Sequence, residues 1–171
     1  MGELIADHEM GASPPDPLGL RGRFRQALTE AAARGVQVTL LLQGLSDHPL
    51  QVYATRALYP ALLARGIRLF EYHRSYLHAK VAVVDRTWST VGSSNIDAFS
   101  LLLAREANVV IDDARFACEL RASREQAICS GARELRASDW QRLPLFRRGL
   151  SWLAYQLVRM AIGVAGYGGL H

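Results

Sequence analysis

An apolar run interrupted by two titratable side chains constrains this chain more than any other feature. Residues 77–84 read Leu-His-Ala-Lys-Val-Ala-Val-Val, and only His78 and Lys80 among them are polar. Such a run is typical of a strand that is buried on both faces of a sheet. Because alternate residues of a strand point to the same side, His78 and Lys80 would leave one face together. A lysine in such a strand needs a specific partner, so the pair predicts a binding or catalytic site.

More polar residues follow at short distances. Asp85 completes the spacing His-x-Lys-x4-Asp, and Gly92-Ser93-x-Asn95 comes soon after it. A phosphate diester would explain the set, because Lys80 supplies charge while Ser93 and Asn95 supply neutral hydrogen-bond donors. Gly92 would permit a close turn that returns these donors to the strand end. An isolated histidine or lysine in a strand is usually a satisfied core residue, but this joint occurrence favours a functional site.

The residue types also indicate a reaction. Cleaving a phosphodiester requires a nucleophile, a proton donor and fixed positive charge for the transition state. One imidazole can attack phosphorus to form a phosphohistidine, and a second can protonate the leaving alkoxide. His78 can fill only one of these roles. The remaining histidines have no lysine two residues further on, so the sequence contains no second copy of the motif: His8, His48, His73 and His171.

The compound pattern resembles the signature of the phospholipase D superfamily, the HKD motif. In that family two copies of the motif face each other, from two halves of one chain or from two subunits, and neither metal nor cofactor is needed. The resemblance gives Asp85 a mainly structural role, and its position near the strand end favours a turn or an ion pair. Glu106 lies in a segment similar to the family's downstream Asn-x-Glu, with Ala104 in place of the Asn, and would orient His78 by accepting its second ring N–H. The candidate catalytic residues are His78, Lys80, Asp85, Ser93, Asn95 and Glu106.

A narrower resemblance extends from about Arg21 to the end of the chain. The runs His-Arg-Ser-Tyr-Leu-His-Ala-Lys, Val-Gly-Ser-Ser-Asn-Ile-Asp and Ser-Leu-Leu-Leu-Ala-Arg-Glu-Ala-Asn look like the C-terminal half of bacterial cardiolipin synthases. That likeness implies phosphatidyl transfer between two phosphatidylglycerol molecules through a phosphohistidine, with release of glycerol. It also implies anionic phospholipid partners (phosphatidylglycerol, cardiolipin), a peripheral place on the cytoplasmic side of the bacterial cell membrane, and a homodimer or second half that supplies the other motif.

Two alternatives stay open. The same residues could serve a hydrolytic phosphodiesterase or nuclease in a symmetric dimer, although the sequence shows no stripe of basic and aromatic residues, so no nucleic-acid partner is expected. The chain could also be an inactive, truncated half. The net charge of +4 favours anionic partners without choosing among them. Three observations would distinguish these hypotheses. A transferase would depend on lipid, a phosphodiesterase or nuclease would cleave nucleotide diesters, and a truncated half would be an inactive monomer.

Hydrophobic periodicity predicts an α/β fold with a mixed, partly parallel sheet flanked by helices and a C-terminal apolar helix, of the phospholipase D type. Strand-helix-strand units lead into the strand that carries His78. The loop Gln43 to Pro49, with Asp47 and His48, is either part of the site or a plain surface turn. The predicted helices are 21–34, 50–64 and 112–131, and the predicted strands are 36–42, 67–72, 88–91 and 108–111.

We expect a disordered leader at residues 1–20, one phospholipase D-like domain at 21–143 and a membrane-associating tail at 144–171. The leader contains Ser13-Pro14-Pro15-Asp16-Pro17, has no signal-peptide pattern and shows no evident opening strand. In the helix at 112–131, Asp112 or Asp113 caps the start, Arg121 and Arg124 lie on the solvated side, and both cysteines lie near the apolar face. Cys118 and Cys129 would be about 16 Å apart along the axis, too far for a disulfide. No Cys/His cluster has the spacing of a zinc site.

The tail is apolar and contains one charge, Arg159, between residues 149 and 170. Its length approaches a membrane span, but Gln156 and Arg159 near its middle would be costly there. On a helical wheel Ser151, Gln156 and Arg159 fall within about 140°, which leaves a broad apolar face with Trp152 and Tyr155. This pattern favours a helix lying in the membrane interface; the alternative is a final helix packed on the domain.

Overall fold

In the part of the chain that the structure describes, one mixed sheet of seven strands forms the centre. The computed structural model describes residues 3–8, 20–45, 49–92 and 107–167. The spatial order of the strands is β6-β5-β4-β1-β2-β3-β7. β1, β2 and β3 are parallel, whereas β4 is antiparallel to β1 and β7 is antiparallel to β3. β5 pairs antiparallel with β4, and β6 pairs antiparallel with β5. The expected α/β class with a partly parallel sheet is confirmed.

The strands and helices have the following bounds. The strands are β1 Glu3–His8, β2 Gln37–Gln43, β3 Arg68–Tyr72, β4 Val81–Val84, β5 Trp88–Gly92, β6 Asn108–Asp112 and β7 Ala132–Leu135. The helices are α1 Leu20–Ala33, α2 Pro49–Arg56, α3 Tyr59–Leu63, α4 Ala114–Gly131, α5 Ala137–Gln141 and α6 Leu145–Tyr167.

The beginning of the chain differs from the expected disordered leader. Glu3–His8 forms β1 in the middle of the sheet, with Leu4 opposite Val38 on one side and Val84 on the other. The prediction of disorder is therefore wrong for these six residues, while residues 9–19 lie outside the described part. The apolar run of β1 is only Leu-Ile-Ala, flanked by charged residues. The strand is stabilised by its pairing with β2 and β4, which the local sequence pattern does not reveal.

Each face of the sheet is covered by helices. On one face, α1 and α3 pack on β2 and β3 around Leu28, Leu40, Leu62 and Leu69, each at most 1% exposed. On the other face, α4 packs on β4 through Ala117 and Val83. Burying a leucine side chain stabilises a fold by about 1.5–3 kcal/mol, so the β2 and β3 region is the main stabilising core.

Two predicted elements differ from the structure. The helix expected at 50–64 is divided into α2 and α3, because Pro60 has no N–H to donate to the carbonyl of Arg56 and its ring disfavours a continuous helix. The strand β7 was not expected, since its sequence Ala-Arg-Glu-Leu carries two charges and has no buried run. It pairs only with β3 and therefore lies at the edge of the sheet, where charged residues are common.

Helix α4 begins as predicted but presents a different face to the sheet. The carboxylate of Asp113 accepts a hydrogen bond of 2.7 Å from the backbone N–H of Phe116, so Asp113 is the cap. Arg124, expected in solvent, is buried at 7% exposure, because it lies two turns after Ala117 on the sheet-facing side. Cys118 and Cys129 are free and exposed, so their expected place near the apolar face is wrong.

Helix α6 packs against α2 through its smallest side chains. Ser151 and Ala154 are 3% and 2% exposed, whereas the large side chain of Trp152 is 60% exposed. Ser151 therefore lies against the domain instead of joining an exposed polar arc. Among the residues that the structure describes, no helix has the length and apolar character needed to cross a bilayer. Up to residue 157, where the described side chains of this helix end, the exposed large apolar residues are Leu145, Phe146, Leu150, Trp152, Leu153 and Leu157.

Candidate active site

One edge of the sheet carries two of the candidate residues, His78 and Lys80. The parallel strands β1, β2 and β3 all end there, and β4 starts there because Val81 is paired with Asp7. β5 ends at the same edge, with Val91 opposite Val81. In open α/β sheets, ligands bind beyond the carboxyl ends of the strands, at the place where the order of the strands reverses. We call this the site edge; His78 and Lys80 immediately precede β4 and lie on it.

His78 and Lys80 lie in direct contact. The Lys80 Nζ is 3.0 Å from His78 Nε2 and 3.2 Å from Nδ1. The prediction that the two side chains lie together is confirmed, but they belong to the link before β4 and not to the strand itself. Because an ammonium group only donates, the ring nitrogen that interacts with it is the one carrying the lone pair. An attacking imidazole uses this same lone pair, so the hydrogen bond from Lys80 has to give way when the ring attacks phosphorus.

The two side chains differ in exposure. Lys80 is buried at 6% exposure, whereas His78 is exposed. Lys80 is also the only lysine in the sequence. Its backbone carbonyl accepts a hydrogen bond of 3.0 Å from Gly92 N, which fastens the start of β4 to the end of β5. The ammonium group is thus held in place beside an imidazole that solvent or a substrate can reach.

Gly92 allows β5 and β6 to approach closely at the site edge. A Cβ at this position would lie 2.6 Å from the backbone oxygen of Ala107 and would also overlap Asn108. This steric requirement explains the glycine. The predicted donors Ser93 and Asn95, and the predicted carboxylate Glu106, lie outside the described residues, as do Asp47 and His48.

Asp85 lies at the other end of β4. It directly follows Val84, in the turn toward β5, and its φ of 55° is in the left-handed region. Its backbone oxygen accepts a hydrogen bond of 3.1 Å from Arg121 Nη1 on α4. A strand of four residues spans about 13 Å, so the structure does not bring Asp85 to His78 and Lys80. A catalytic role of Asp85 stays a prediction, and its position in the turn agrees with the structural role that the resemblance implies.

A buried carboxylate near the site edge escaped sequence reasoning. Glu71, on β3, has a side chain only 6% exposed, and its Oε1 accepts from Arg56 Nε at 2.9 Å and from Tyr59 OH at 3.0 Å. Its Oε2 accepts from Arg56 Nη2 at 3.2 Å and lies 3.2 Å from His73 Nε2. The only sequence signal is a glutamate two residues after the buried Leu69, on the same strand face. We call these four residues, Arg56, Tyr59, Glu71 and His73, the Glu71 cluster.

Burial and charge alter the pKa values in the Glu71 cluster. Burial raises the pKa of the Tyr59 hydroxyl well above its usual range, and the charge of Glu71 and its hydrogen bond raise it further. Burial opposes the charge of Arg56, but the hydrogen bond and the charge of Glu71 outweigh it, so the pKa of Arg56 is raised. Tyr59 therefore stays a donor, and Arg56 stays a cation.

Comparison with solved structures identifies the fold first. The phosphatidylserine synthase of Haemophilus influenzae matches with a TM-score of 0.60 and 13% identity, over 92% of this chain and 41% of that one. Nuc of Salmonella typhimurium, a phospholipase D family member, matches with a TM-score of 0.54 and 19% identity, over 78% of this chain and 82% of that one. Both show that the fold is of the phospholipase D type.

Sequence comparison identifies the family. Residues 20–128 match the model described as cardiolipin synthase, PLD-like domain, and the chain belongs to this family. Cardiolipin synthase B of Escherichia coli is 38% identical over 145 residues, 85% of this chain and 35% of that protein. Cardiolipin synthase A of Klebsiella pneumoniae is 39% identical over 129 residues, 75% of this chain and 26% of that protein. The matched region thus spans about a third of cardiolipin synthase B and about a quarter of cardiolipin synthase A.

Proposed function

We propose that this chain is part of a phosphatidyltransferase of the cardiolipin synthase type. It would transfer a phosphatidyl group from one phosphatidylglycerol to a hydroxyl of another and release glycerol. The family membership supports this class of reaction, and the relatives' names supply the product. The observation that carries the proposal is the contact of 3.0 Å between the buried Lys80 ammonium and the exposed His78 ring.

The contact suits the chemistry in the following way. A His78 nitrogen with a lone pair attacks phosphorus, the P–O bond to glycerol breaks, and a phosphohistidine forms. Lys80 stabilises the charge that builds on the non-bridging oxygens, as a fixed cation at the site. The hydroxyl of the second phosphatidylglycerol then attacks phosphorus and gives its proton to the second imidazole, which protonated the glycerol, while the P–N bond to His78 breaks. Ser93 and Asn95 are proposed donors to the same oxygens, and Glu106 is the proposed acceptor of the second His78 N–H.

A second imidazole is part of the proposal. The leaving glycerol needs a proton as it departs, and a nucleophilic His78 cannot supply it at the same time. We place the second motif on another copy of this chain in a homodimer, or on a further half of a longer protein. Cardiolipin synthase B is about three times as long as the matched region, which leaves room for a second motif in a longer protein.

The proposed place of action is the membrane surface. Helix α6 presents large apolar side chains outward, with Arg147 and Arg148 close to them in sequence and no acidic residue within the helix. Such a face suits insertion between lipid headgroups, and the arginines suit anionic ones. We place the protein peripherally on the cytoplasmic side, as part of the same proposal.

Sizing combined with product analysis tests the proposal. The purified chain is separated in mild detergent, its mass is measured by light scattering, and each fraction is incubated with phosphatidylglycerol. Formation of cardiolipin and glycerol, confined to the dimer fractions, is the expected result. Phosphatidic acid as the main product would instead indicate a hydrolase. A folded dimer that forms neither product would contradict the homodimer.

A further inference from the structure

The Glu71 cluster has a role that the chemistry above does not use. The carboxylate of Glu71 is buried and is paired with the guanidinium of Arg56, so its charge is compensated within the cluster. Yet it also contacts His73 Nε2 at 3.2 Å, and the His73 side chain is 40% exposed. A compensated carboxylate does not need this extra partner for its own burial. The contact therefore serves to hold the His73 ring in place.

The carboxylate fixes the His73 ring from one side. Because Glu71 only accepts, the His73 nitrogen that faces it carries the hydrogen, which sets the tautomer. Gly44 lies against another part of the ring: a Cβ at Gly44 would come within 2.6 Å of His73 Nδ1. Arg56 and Tyr59 hold the carboxylate itself with three hydrogen bonds. The ring is thus held between an immobile acceptor and the backbone after β2.

His73 is the first residue of the link that carries the candidate catalytic pair. Residues 73–80 form neither helix nor strand as they pass from β3 to β4. β3 and β4 are separated by β1 and β2, so this link crosses the ends of two strands at the site edge, about 14 Å at normal strand spacing. A backbone hydrogen bond holds each end of the link. The His73 N–H donates to the Gly131 carbonyl at 2.9 Å, and the Gly92 N–H donates to the Lys80 carbonyl at 3.0 Å.

We propose that His73 is a positioning residue: its hydrogen bond to Glu71 fixes the beginning of the 73–80 link and thereby the place of His78 and Lys80. The proposal rests on the transfer function proposed above. A displacement of about 1 Å in a catalytic group can lower turnover by about 100-fold, so a hydrogen bond at the base of the link can control the rate without touching the substrate.

Two variants of equal size separate the hydrogen bond from packing. His73→Gln keeps an N–H donor that can reach Glu71, whereas His73→Met fills the same space without a donor. We expect kcat of His73→Met to fall about 10- to 100-fold with little change in KM, and His73→Gln to retain most of the rate. Hydrogen exchange of the backbone amides of residues 74–80 should become faster in His73→Met alone.

Arg68→Ala is the matched control. Arg68 is the first residue of the same strand, at the end away from the link; it pairs with Glu134 at 2.9 Å, and its side chain is 60% exposed. It should leave both kcat and exchange of residues 74–80 as in the wild type. Equal exchange and equal rates in His73→Met and the wild type would overturn the proposal, as would equal damage in His73→Gln and His73→Met. If the wild type shows no transfer, the proposed function fails, and hydrogen exchange alone decides the role of His73.

Discussion

Two buried charges of opposite sign lie at one edge of the sheet, and they are accommodated differently. Glu71 is matched by the cation of Arg56 and by the hydrogen bond from Tyr59, so its cost of burial is met inside the protein. Lys80, 6% exposed, lies 3.0 Å from the exposed ring of His78. An ammonium group at this place can donate to the oxygens of a bound phosphate, which connects the position of Lys80 with binding of an anion.

Replacing Lys80 should therefore impair the reaction much more than the fold. We expect Lys80→Met to lower kcat by about 100- to 1,000-fold, in the range found when one donor to a transition-state oxyanion is removed. The neutral side chain fits a site that is already buried, so the free energy of unfolding should not fall. Rates on phosphatidylglycerol vesicles and urea denaturation measure the two effects. Arg65→Met, at an exposed position, is the control and should change neither.

Tyr59 makes stability depend on alkaline pH. The pKa of Tyr59 is raised in the folded state, whereas an unfolded tyrosine loses its proton at about pH 10. Between that pH and the higher folded pKa, the unfolded chain therefore binds fewer protons than the folded chain. The stability that Tyr59 contributes is fully present below pH 10 and is lost as the pH rises above it. Tyr59→Phe should show a shallower alkaline decline in urea denaturation. Tyr76→Phe, at a side chain 61% exposed, should keep the wild-type decline.

At the scale of helices and strands, the sequence predicts what local patterns determine. The long apolar run of β2 and the caps and glycines around α1 and α4 gave bounds within two residues of the observed ones. β1 and β7 were missed because each is short and charged, and each is stabilised by its neighbours in the sheet. The Glu71 cluster was missed for a related reason: Arg56, Glu71 and His73 meet only because β3 ends beside α2.

The assignment of Asp113 as the N-terminal cap of α4 can be tested by mutation. Asp113→Ala removes the side-chain acceptor for the Phe116 N–H and should lower the free energy of unfolding by about 1 kcal/mol. Asp112→Ala is the matched control. Asp112 was the other candidate for the cap, but it lies exposed at the end of β6, so its replacement should not lower the free energy of unfolding in this way. A decrease that is equal in both variants, measured by urea denaturation, would disprove the assignment of the cap to Asp113.

At the scale of the whole molecule, the apolar side of α6 and the site edge are connected through α2. α2 follows the end of β2, and its last residue, Arg56, binds Glu71 near the end of β3, so α2 lies close to the site edge. α6 packs on α2 and turns its large apolar residues outward. On the wheel these residues fall within about 160°, a continuous stripe of the width that interfacial helices present.

Vesicle binding tests this arrangement. Phe146→Ser combined with Leu153→Ser should reduce co-sedimentation with phosphatidylglycerol vesicles by about tenfold or more, because each side chain contributes about 1.5–3 kcal/mol when it leaves water. Higher salt should also weaken binding, through Arg147 and Arg148. The control is Val109→Ser with Val110→Ser, two exposed residues of β6 outside the stripe. Equal binding by both double variants would argue against α6 as the membrane-binding face.

The most direct test of the central claim is the initial rate of cardiolipin formation from phosphatidylglycerol by dimeric wild type and His78→Ala, with glycerol release measured in the same samples. If His78 and Lys80 form the reacting pair, the variant remains folded, keeps its binding to vesicles and shows no more product than vesicles without protein. Turnover by His78→Ala at the wild-type rate would contradict the assignment of the active site to this edge of the sheet.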